Sequence, residues 1–453
     1  MSEPSISFAQ QNASVQLPFH VMAKPTGPIC NLDCKYCFYL EKESLYPRNE
    51  SWKMSDLVLE SYISQYIASQ PQDTVTFAWQ GGEPTLLGVE YFEKIVALEK
   101  KYANGKRIEN ALQTNAVTLD ARWADFFAAQ NFLIGVSIDG PRELHDYYRV
   151  DKGQQPTFDH VVRGIGCLKA AGVRFNTLSV VSRKNSQYPL GVYRFLKEIG
   201  GGFIQFIPVV ERISHTPVRN GLTLLEPDCK EEGLVTDWSV EPAAYGNFLC
   251  TIFDEWVRND VGKTFVQIFD VTLESWLGMQ QGLCVFSETC GAALALEHQG
   301  DLYSCDHYVY PQNKLGNILD NPLASLVSQP SQVRFGNAKR ETLPQYCLEC
   351  DVRFACNGEC PKHRFARTPT GSPGLNYLCA AYKQFFHHVA PYMEFMGREL
   401  SRHQPPARVM EYARWADEVM AQRAAKETRE LSIVPPDEQS RSVLDPYGTA
   451  DIH

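Results

Sequence analysis

The chain has 453 residues, more than a single hydrophobic core organises, so at least two domains are expected. Its 44% hydrophobic content is ordinarily globular, and a formal net charge of -10 argues against a nucleic-acid or anionic-membrane surface. No apolar run approaches a membrane span, and the start M-S-E-P-S-I-S-F-A-Q-Q-N lacks the basic and apolar regions of a secretory signal, so a cytoplasmic location is expected. In a reducing compartment, 14 cysteines point to metal or redox chemistry and away from disulfides.

After a polar lead over residues 1–17, His20 to Lys24 reads as a strand delivering the chain to P-I-C-N-L-D-C-K-Y-C-F-Y-L, Pro28 to Leu40. This loop places Cys30, Cys34 and Cys37 at C-x3-C-x2-C spacing. A four-iron cluster needs four ligands, so a loop with three thiolates leaves one iron open to another molecule. A zinc knuckle is the alternative, but zinc knuckles usually combine two C-x2-C pairs, and no fourth Cys or His lies nearby in sequence.

Ser55 can cap a helix running to about Ser69, with Leu57, Tyr62, Ile63, Tyr66 and Ile67 at helical spacing. Strands then alternate with helices: strand Thr74 to Trp79, helix Tyr91 to Tyr102, strand Ile108 to Gln113, helix Asp120 to Gln130 and strand Phe132 to Ile138. Helix Phe158 to Ala171, strand Phe175 to Val181, helix Tyr188 to Ile199 and strand Phe203 to Val209 complete the series. Such alternation implies parallel pairing through right-handed crossovers, an α/β fold built as an open, partial (β/α)6 barrel. In parallel barrels functional residues sit on the C-terminal rim. There lie the cysteine loop, Gly81-Gly82-Glu83-Pro84, Gln113-Thr114-Asn115, and Ser137 with Asp139.

Residues 211–241 read as an irregular connection, and a helix from Ala243 to Val257 as a spacer packed between domains. From Cys284 to about Tyr392 the chain is dense in cysteine and poor in periodic apolar residues, so it is expected to fold on its metals. Cys347, Cys350, Cys356 and Cys360 follow C-x2-C-x5-C-x3-C, with Cys284, Cys290 and Cys305 upstream and Cys379 downstream. These make two sets of four, and ligand counting alone leaves zinc and iron-sulfur both open. Cys167, Cys229 and Cys250 fall outside the motifs and read as small apolar or incidental residues. A helix from about Ala407 to Lys426 carries an apolar stripe, Val409, Tyr412, Ala413, Ala416, Val419 and Met420, expected to dock on the body; the polar segment around Pro435-Pro436 is expected to be disordered.

The motifs K-P-T-G-P-I-C-N-L-D-C-K-Y-C-F-Y-L-E-K, W-Q-G-G-E-P-T-L, L-Q-T-N, G-V-S-I-D-G-P, F-I-Q-F-I-P and Y-S-C-D, in this order, resemble those of the anaerobic sulfatase-maturating enzymes, members of the radical S-adenosylmethionine (radical SAM) superfamily. The resemblance covers about residues 18–395. It implies a radical SAM barrel over 18–210, a connection over 211–283, a SPASM domain over 284–395 with two auxiliary 4Fe-4S clusters, and an additional helix and tail over 396–453. Cys30, Cys34 and Cys37 would hold the cluster that binds S-adenosylmethionine, making three 4Fe-4S clusters in all. Cys284, Cys290, Cys305 and Cys360 would hold the first auxiliary cluster and Cys347, Cys350, Cys356 and Cys379 the second, in interleaved sets.

The Gly81-Gly82-Glu83 turn suits the ammonium of S-adenosylmethionine, because glycine lets backbone carbonyls approach closely. By the resemblance Arg149 would face its carboxylate, Ser137 its carboxylate or ribose, and Tyr36 with Ile204 its adenine. Asp306 matches the residue that acts as base in the family, with His307 a less favoured candidate. The expected reaction oxidises a Cys or Ser in a C/S-x-P-x-R motif of an unfolded sulfatase to Cα-formylglycine, with a flavodoxin- or ferredoxin-like electron donor. The alternative is a SPASM enzyme that forms thioether or carbon crosslinks in a ribosomal peptide; such enzymes often carry a leader-binding domain, which the short N-terminal lead cannot form. A non-catalytic metal scaffold would have no need of the Gly-Gly-Glu turn, Arg149 or Asp306. One departure from the family pattern is Ala116, where relatives often have Gly, which puts the shape of that turn in doubt.

Overall fold

Strand β1, His20–Lys24, is the strand on which the rest of the sheet is hung in the computed structural model, which describes residues 18–47, 51–214, 222–231 and 233–433. The expected polar lead and the tail around Pro435-Pro436 lie outside the described residues. Beside β1 run β2 (Thr74–Trp79), β3 (Arg107–Thr114), β4 (Leu133–Ser137), β5 (Phe175–Val181) and β6 (Phe203–Pro208), all parallel and in chain order. Their crossovers are α1 (Asp56–Ser69), α2 (Val89–Tyr102), α3 (Ala121–Gln130), the single turn α4 (Arg142–His145), α5 (Phe158–Ala170) and α6 (Pro189–Ile199).

Local chemistry accounts for the ends. Ser55 accepts a hydrogen bond from the Val58 N–H and Asp120 one from the Trp123 N–H, each satisfying a backbone donor that α1 or α3 would otherwise leave free. Asn131 ends α3 in the left-handed conformation, and Pro189 opens α6 where its missing N–H costs nothing. Alternate residues of each strand face the helices: Phe77 and Trp79 on β2 pack against Tyr62 of α1. Leu57 differs from expectation. It is 68% exposed, and Val58 and Leu59 supply the buried positions of that turn.

The sheet does not stop at six strands. After a two-strand ribbon, β7 (Arg212–Ile213) with β8 (Leu234–Val235), comes β9 (Phe265–Val266), which extends the sheet beyond β6. At the opposite edge β10 (Ala293–Glu297) pairs in parallel with all five residues of β1, followed by antiparallel β11 (Asp301–Tyr303) and β12 (Lys314–Asn317). The cysteine-dense region is therefore continuous with the barrel by hydrogen bonding. It also has more core than its sequence suggested: helix Cys379–Ser401 buries Tyr382, Phe385, Phe386, Val389, Met393 and Met396 in the core shared with the barrel.

Helix α7 (Pro242–Asn259) lies between the two regions, as its position predicted. Phe248 meets Phe206 of β6, while Tyr245 meets Tyr382 of helix Cys379–Ser401. In the last helix, Val409–Ile433, Val409 and Ala413 are buried but Met420 is 71% exposed, so only the first part of its stripe docks on the body. No helix among the described residues is long and apolar enough to cross a membrane.

Candidate active site

The loops at the C-terminal ends of β1 to β4 converge. Gly82 N–H donates to Gly27 O (2.8 Å) and Glu83 N–H to Ile29 O (2.9 Å), which seats the β2 turn on the cysteine loop. A Cβ on Gly82 would lie 2.0 Å from Ile29 O, so only glycine permits this approach. The Glu83 carboxylate is fully buried and accepts from the Thr85 N–H and hydroxyl, the Thr114 hydroxyl and the Asn115 N–H at 2.6–3.1 Å. Burial pushes its pKa up, and these hydrogen bonds oppose that rise. The side chain of Glu83 thus ties the β2 turn to the L-Q-T-N segment. Asn115 completes the tie by donating to Asn31 Oδ1 (2.7 Å). At Ala116 the turn takes a φ of 60°, a left-handed conformation held by a residue with a Cβ.

At the end of β4, Asp139 organises a second group. Arg149 donates to it through Nε (2.9 Å) and Nη2 (3.2 Å), Tyr36 through its hydroxyl, and Val180 through its N–H (2.9 Å). Arg149 is therefore already paired with a buried carboxylate, and Nη1 lies outside that pair. Ser137 Oγ accepts from Gln113 Nε2 (2.9 Å), leaving its O–H able to donate. Tyr36, Tyr148 and Val209 form an apolar cluster with Val180 and Trp238 against Cys34.

Ile204 does not join this cluster. Its register partner is Thr177, itself level with Val136, and this row lies on the same side of the sheet as Phe206, which packs on Phe248 of α7. One-residue alternation puts Ile204 on the helix side, so the expectation that it lies with Tyr36 against adenine is corrected.

Asp306 lies beside the end of β1, ion-paired with Lys24, which is 1% exposed and has its Nζ 3.7 Å from the centre of the Tyr39 ring. Burial opposes ionisation of Asp306, but Lys24 outweighs it and holds the carboxyl below the usual range. Tyr39 donates to the buried Glu297 at the end of β10. His307, next in sequence, is edge-on to Phe38 with ring centres 5.3 Å apart.

The thiols group as three neighbourhoods. Cys34 interacts with Cys37 and Cys30. Cys305 interacts with Cys284 and Cys290, and Cys360 with Cys305 and Cys290; Cys356 interacts with Cys379 and Cys347, and Cys379 with Cys347 and Cys350. Cys347, Cys350, Cys356 and Cys379 also line one cavity. Burial pushes Cys30, Cys305 and Cys356 up to about 12, so these thiols favour the proton unless a cationic centre replaces it. Backbone N–H groups of Leu32, His307, Gly358 and Lys362 point at Cys30, Cys305, Cys356 and Cys360. Clustered thiols met by backbone donors fit iron-sulfur ligation.

Residues 25–196 match the Radical SAM superfamily, and residues 284–351 match an iron-sulfur cluster-binding domain, SPASM. A serine-type anaerobic sulfatase-maturating enzyme of Bacteroides thetaiotaomicron is 51% identical over 394 residues, covering 87% of this chain and 94% of that protein. The chain belongs to the anaerobic sulfatase-maturating enzyme family. A cysteine-type member from Clostridium perfringens is 34% identical over 378 residues, covering 83% of this chain and 97% of that one. The solved structure of native anSMEcpe with bound AdoMet matches with a TM-score of 0.73 and 31% identity, over 84% of this chain and 100% of that one. Membership makes this chain a radical SAM oxidoreductase with an α/β barrel and a SPASM region, and gives the crosslinking alternative no support.

Sequence reasoning missed Lys24, Tyr39 and Glu297 as parts of the site. Lys24 and Tyr39 lie in the quoted K-P-T-G-P-I-C-N-L-D-C-K-Y-C-F-Y-L-E-K motif, and a lysine ending a buried strand was a usable signal, since buried charges require partners. Asp139 was placed on the rim without its pairing to Arg149.

Proposed function

We propose that this enzyme oxidises an active-site Ser or Cys in a C/S-x-P-x-R motif of an unfolded sulfatase to Cα-formylglycine, with serine its preferred substrate. The serine preference rests on the 51% identity to a serine-type relative, against 34% to a cysteine-type one. The carrying observation is Asp306, a carboxylate kept ionised by Lys24 and flanked by Cys305 at the mouth of the barrel. The residue roles and the division of the chain at about 210, 283 and 395 belong to the same proposal, as do three 4Fe-4S clusters and a flavodoxin- or ferredoxin-like donor.

Held at the open iron of a cluster on Cys30, Cys34 and Cys37, S-adenosylmethionine would supply a 5'-deoxyadenosyl radical that takes a hydrogen atom from the substrate β-carbon. Around it the backbone of Gly81, Gly82 and Glu83 offers acceptors to an ammonium, Arg149 and Ser137 offer donors to carboxylate or ribose, and Tyr36 with Tyr148 and Val209 offers an apolar wall to adenine. Asp306 accepts the hydroxyl or thiol proton, and Lys24 keeps it aimed and unprotonated until then. Clusters that the two auxiliary thiol sets would hold would supply the acceptor for the second electron. Serine then yields the aldehyde directly; cysteine yields a thioaldehyde that water converts to the same product with loss of hydrogen sulfide.

The test is mass spectrometry of peptides containing S-x-P-x-R or C-x-P-x-R after anaerobic incubation with reconstituted enzyme, S-adenosylmethionine and a strong reductant. Formylglycine should accumulate with 5'-deoxyadenosine, faster from serine. Asp306→Asn should lower the rate by about 10²–10⁴-fold. Deoxyadenosine without a change in either peptide would reject the substrate assignment.

A further inference from the structure

His307 touches three parts of the site at once. It follows Asp306 directly, packs edge-on against Phe38, and places Nδ1 3.7 Å from Cys360 Sγ. Phe38 in turn follows Cys37, and Lys362 lies over its ring at 4.6 Å while paired with the buried Glu211. We propose that His307 is a positioning residue for the second electron, donating an N–H···S hydrogen bond to Cys360 that raises the reduction potential of the auxiliary cluster this cysteine would hold. The inference rests on the ligand assignment above.

The direction of the hydrogen bond follows from the chemistry of the sulfur. A thiolate bound to iron carries no proton, so in this contact the imidazole must be the donor. Reduction adds negative charge to a cluster and its sulfurs, and a donor aimed at one sulfur stabilises that charge and raises the potential. The electron balance is simple. Once the substrate has lost a hydrogen atom from carbon and a proton to Asp306, it holds one excess electron, which reduces the oxidised cluster by one unit. His307 stands between the proton acceptor and the electron acceptor, with no intervening residue in sequence on the first side and a direct contact on the second.

Two variants separate this role from packing. His307→Phe preserves an aromatic ring against Phe38 but removes the donor; His307→Asn returns an N–H near the place of Nδ1. In the reconstituted holoenzyme, a redox titration followed by electron paramagnetic resonance should show one auxiliary signal shifted to lower potential in His307→Phe. A tenfold loss of electron affinity, about 59 mV for a one-electron couple, is expected, with the other signals in place. His307→Asn should recover most of the shift, and His307→Phe should also release more 5'-deoxyadenosine per formylglycine. An unchanged potential in a fully loaded His307→Phe protein would overturn the inference. If the Phe variant fails to load iron, His307→Leu, which also lacks the donor, is titrated in its place: a lowered potential supports the hydrogen bond, an unchanged one rejects it. Failure of the wild-type enzyme to convert either peptide would sink the substrate reading and leave the potential measurement standing.

Discussion

At the barrel mouth Cys30, Cys34 and Cys37 sit on a loop anchored by β1, which pairs with β2 on one side and β10 on the other. Cys347 and Cys356 ride instead on single-turn helices, Gln345–Leu348 and Arg353–Cys356, and Cys347 packs on the short ribbon Ala366–Arg367 with Pro373–Leu375, which is not part of the main sheet. There the backbone is braced by cations. Arg364 donates to the carbonyls of Lys339, Asn357, Gly358 and Glu359, and the buried Lys339 to those of Cys284 and Val285. The mouth has a folded scaffold that presents thiols, whereas the second auxiliary set is itself part of the scaffold. A metal should therefore be a guest in the first region and a structural element in the second.

Removing the metal gives the largest expected contrast. Iron chelation of the reconstituted enzyme should open residues 343–376 to hydrogen exchange and protease before strands β1 to β6. Cys356→Ala should lower the melting temperature markedly, while Cys34→Ala should abolish cofactor cleavage with little change in melting. Equal losses of stability would erase the distinction.

Glu83 and Arg364 brace the two regions, so truncating each tests them without touching a thiol. Glu83→Ala strands the buried Thr85, Thr114 and Asn115 donors and should cost about 3 kcal/mol in urea unfolding whether or not iron is present. Arg364→Ala should cost much more stability in the iron-free protein than in the loaded one.

Lys42 marks the seam between the regions, fully buried, with its Nζ 3.0 Å from the centre of the Tyr310 ring. Burial lowers its pKa to about 7, against the pull of Glu41. Between pH 7 and the ordinary lysine value the unfolded chain binds the extra proton, so stability should rise with pH through that window. Lys42→Met should flatten this slope and stabilise the protein near pH 7 by about 1–3 kcal/mol, measured by unfolding at several pH values. The smallest effect belongs to Ala116→Gly, which relieves the left-handed Cβ and should add about 0.5–1 kcal/mol in the same assay.

Much of the fold was legible because it is written within a few residues. β1, β2 and β5 begin and end where alternation predicted, and Ser55 and Asp120 cap the helices they precede. The rim residues followed, since strand ends place them. β9, β11 and β12 carry too few residues for a period, and β10 is buried along nearly its whole length and so shows no alternation, so these strands were invisible until they paired with β6 and β1. The face of Ile204 turned on a one-residue parity that the sequence left open.

The sequence by itself determined strands β1 to β6, the main helices between them and the thiol inventory, because alternation, caps and cysteine spacing are local. Tertiary structure alone decided that Lys24 meets Asp306 and that Arg149 is paired with Asp139. Each of these pairings joins residues of separate elements. They depend on how crossovers bring strand ends and turns together, and no local period encodes that geometry.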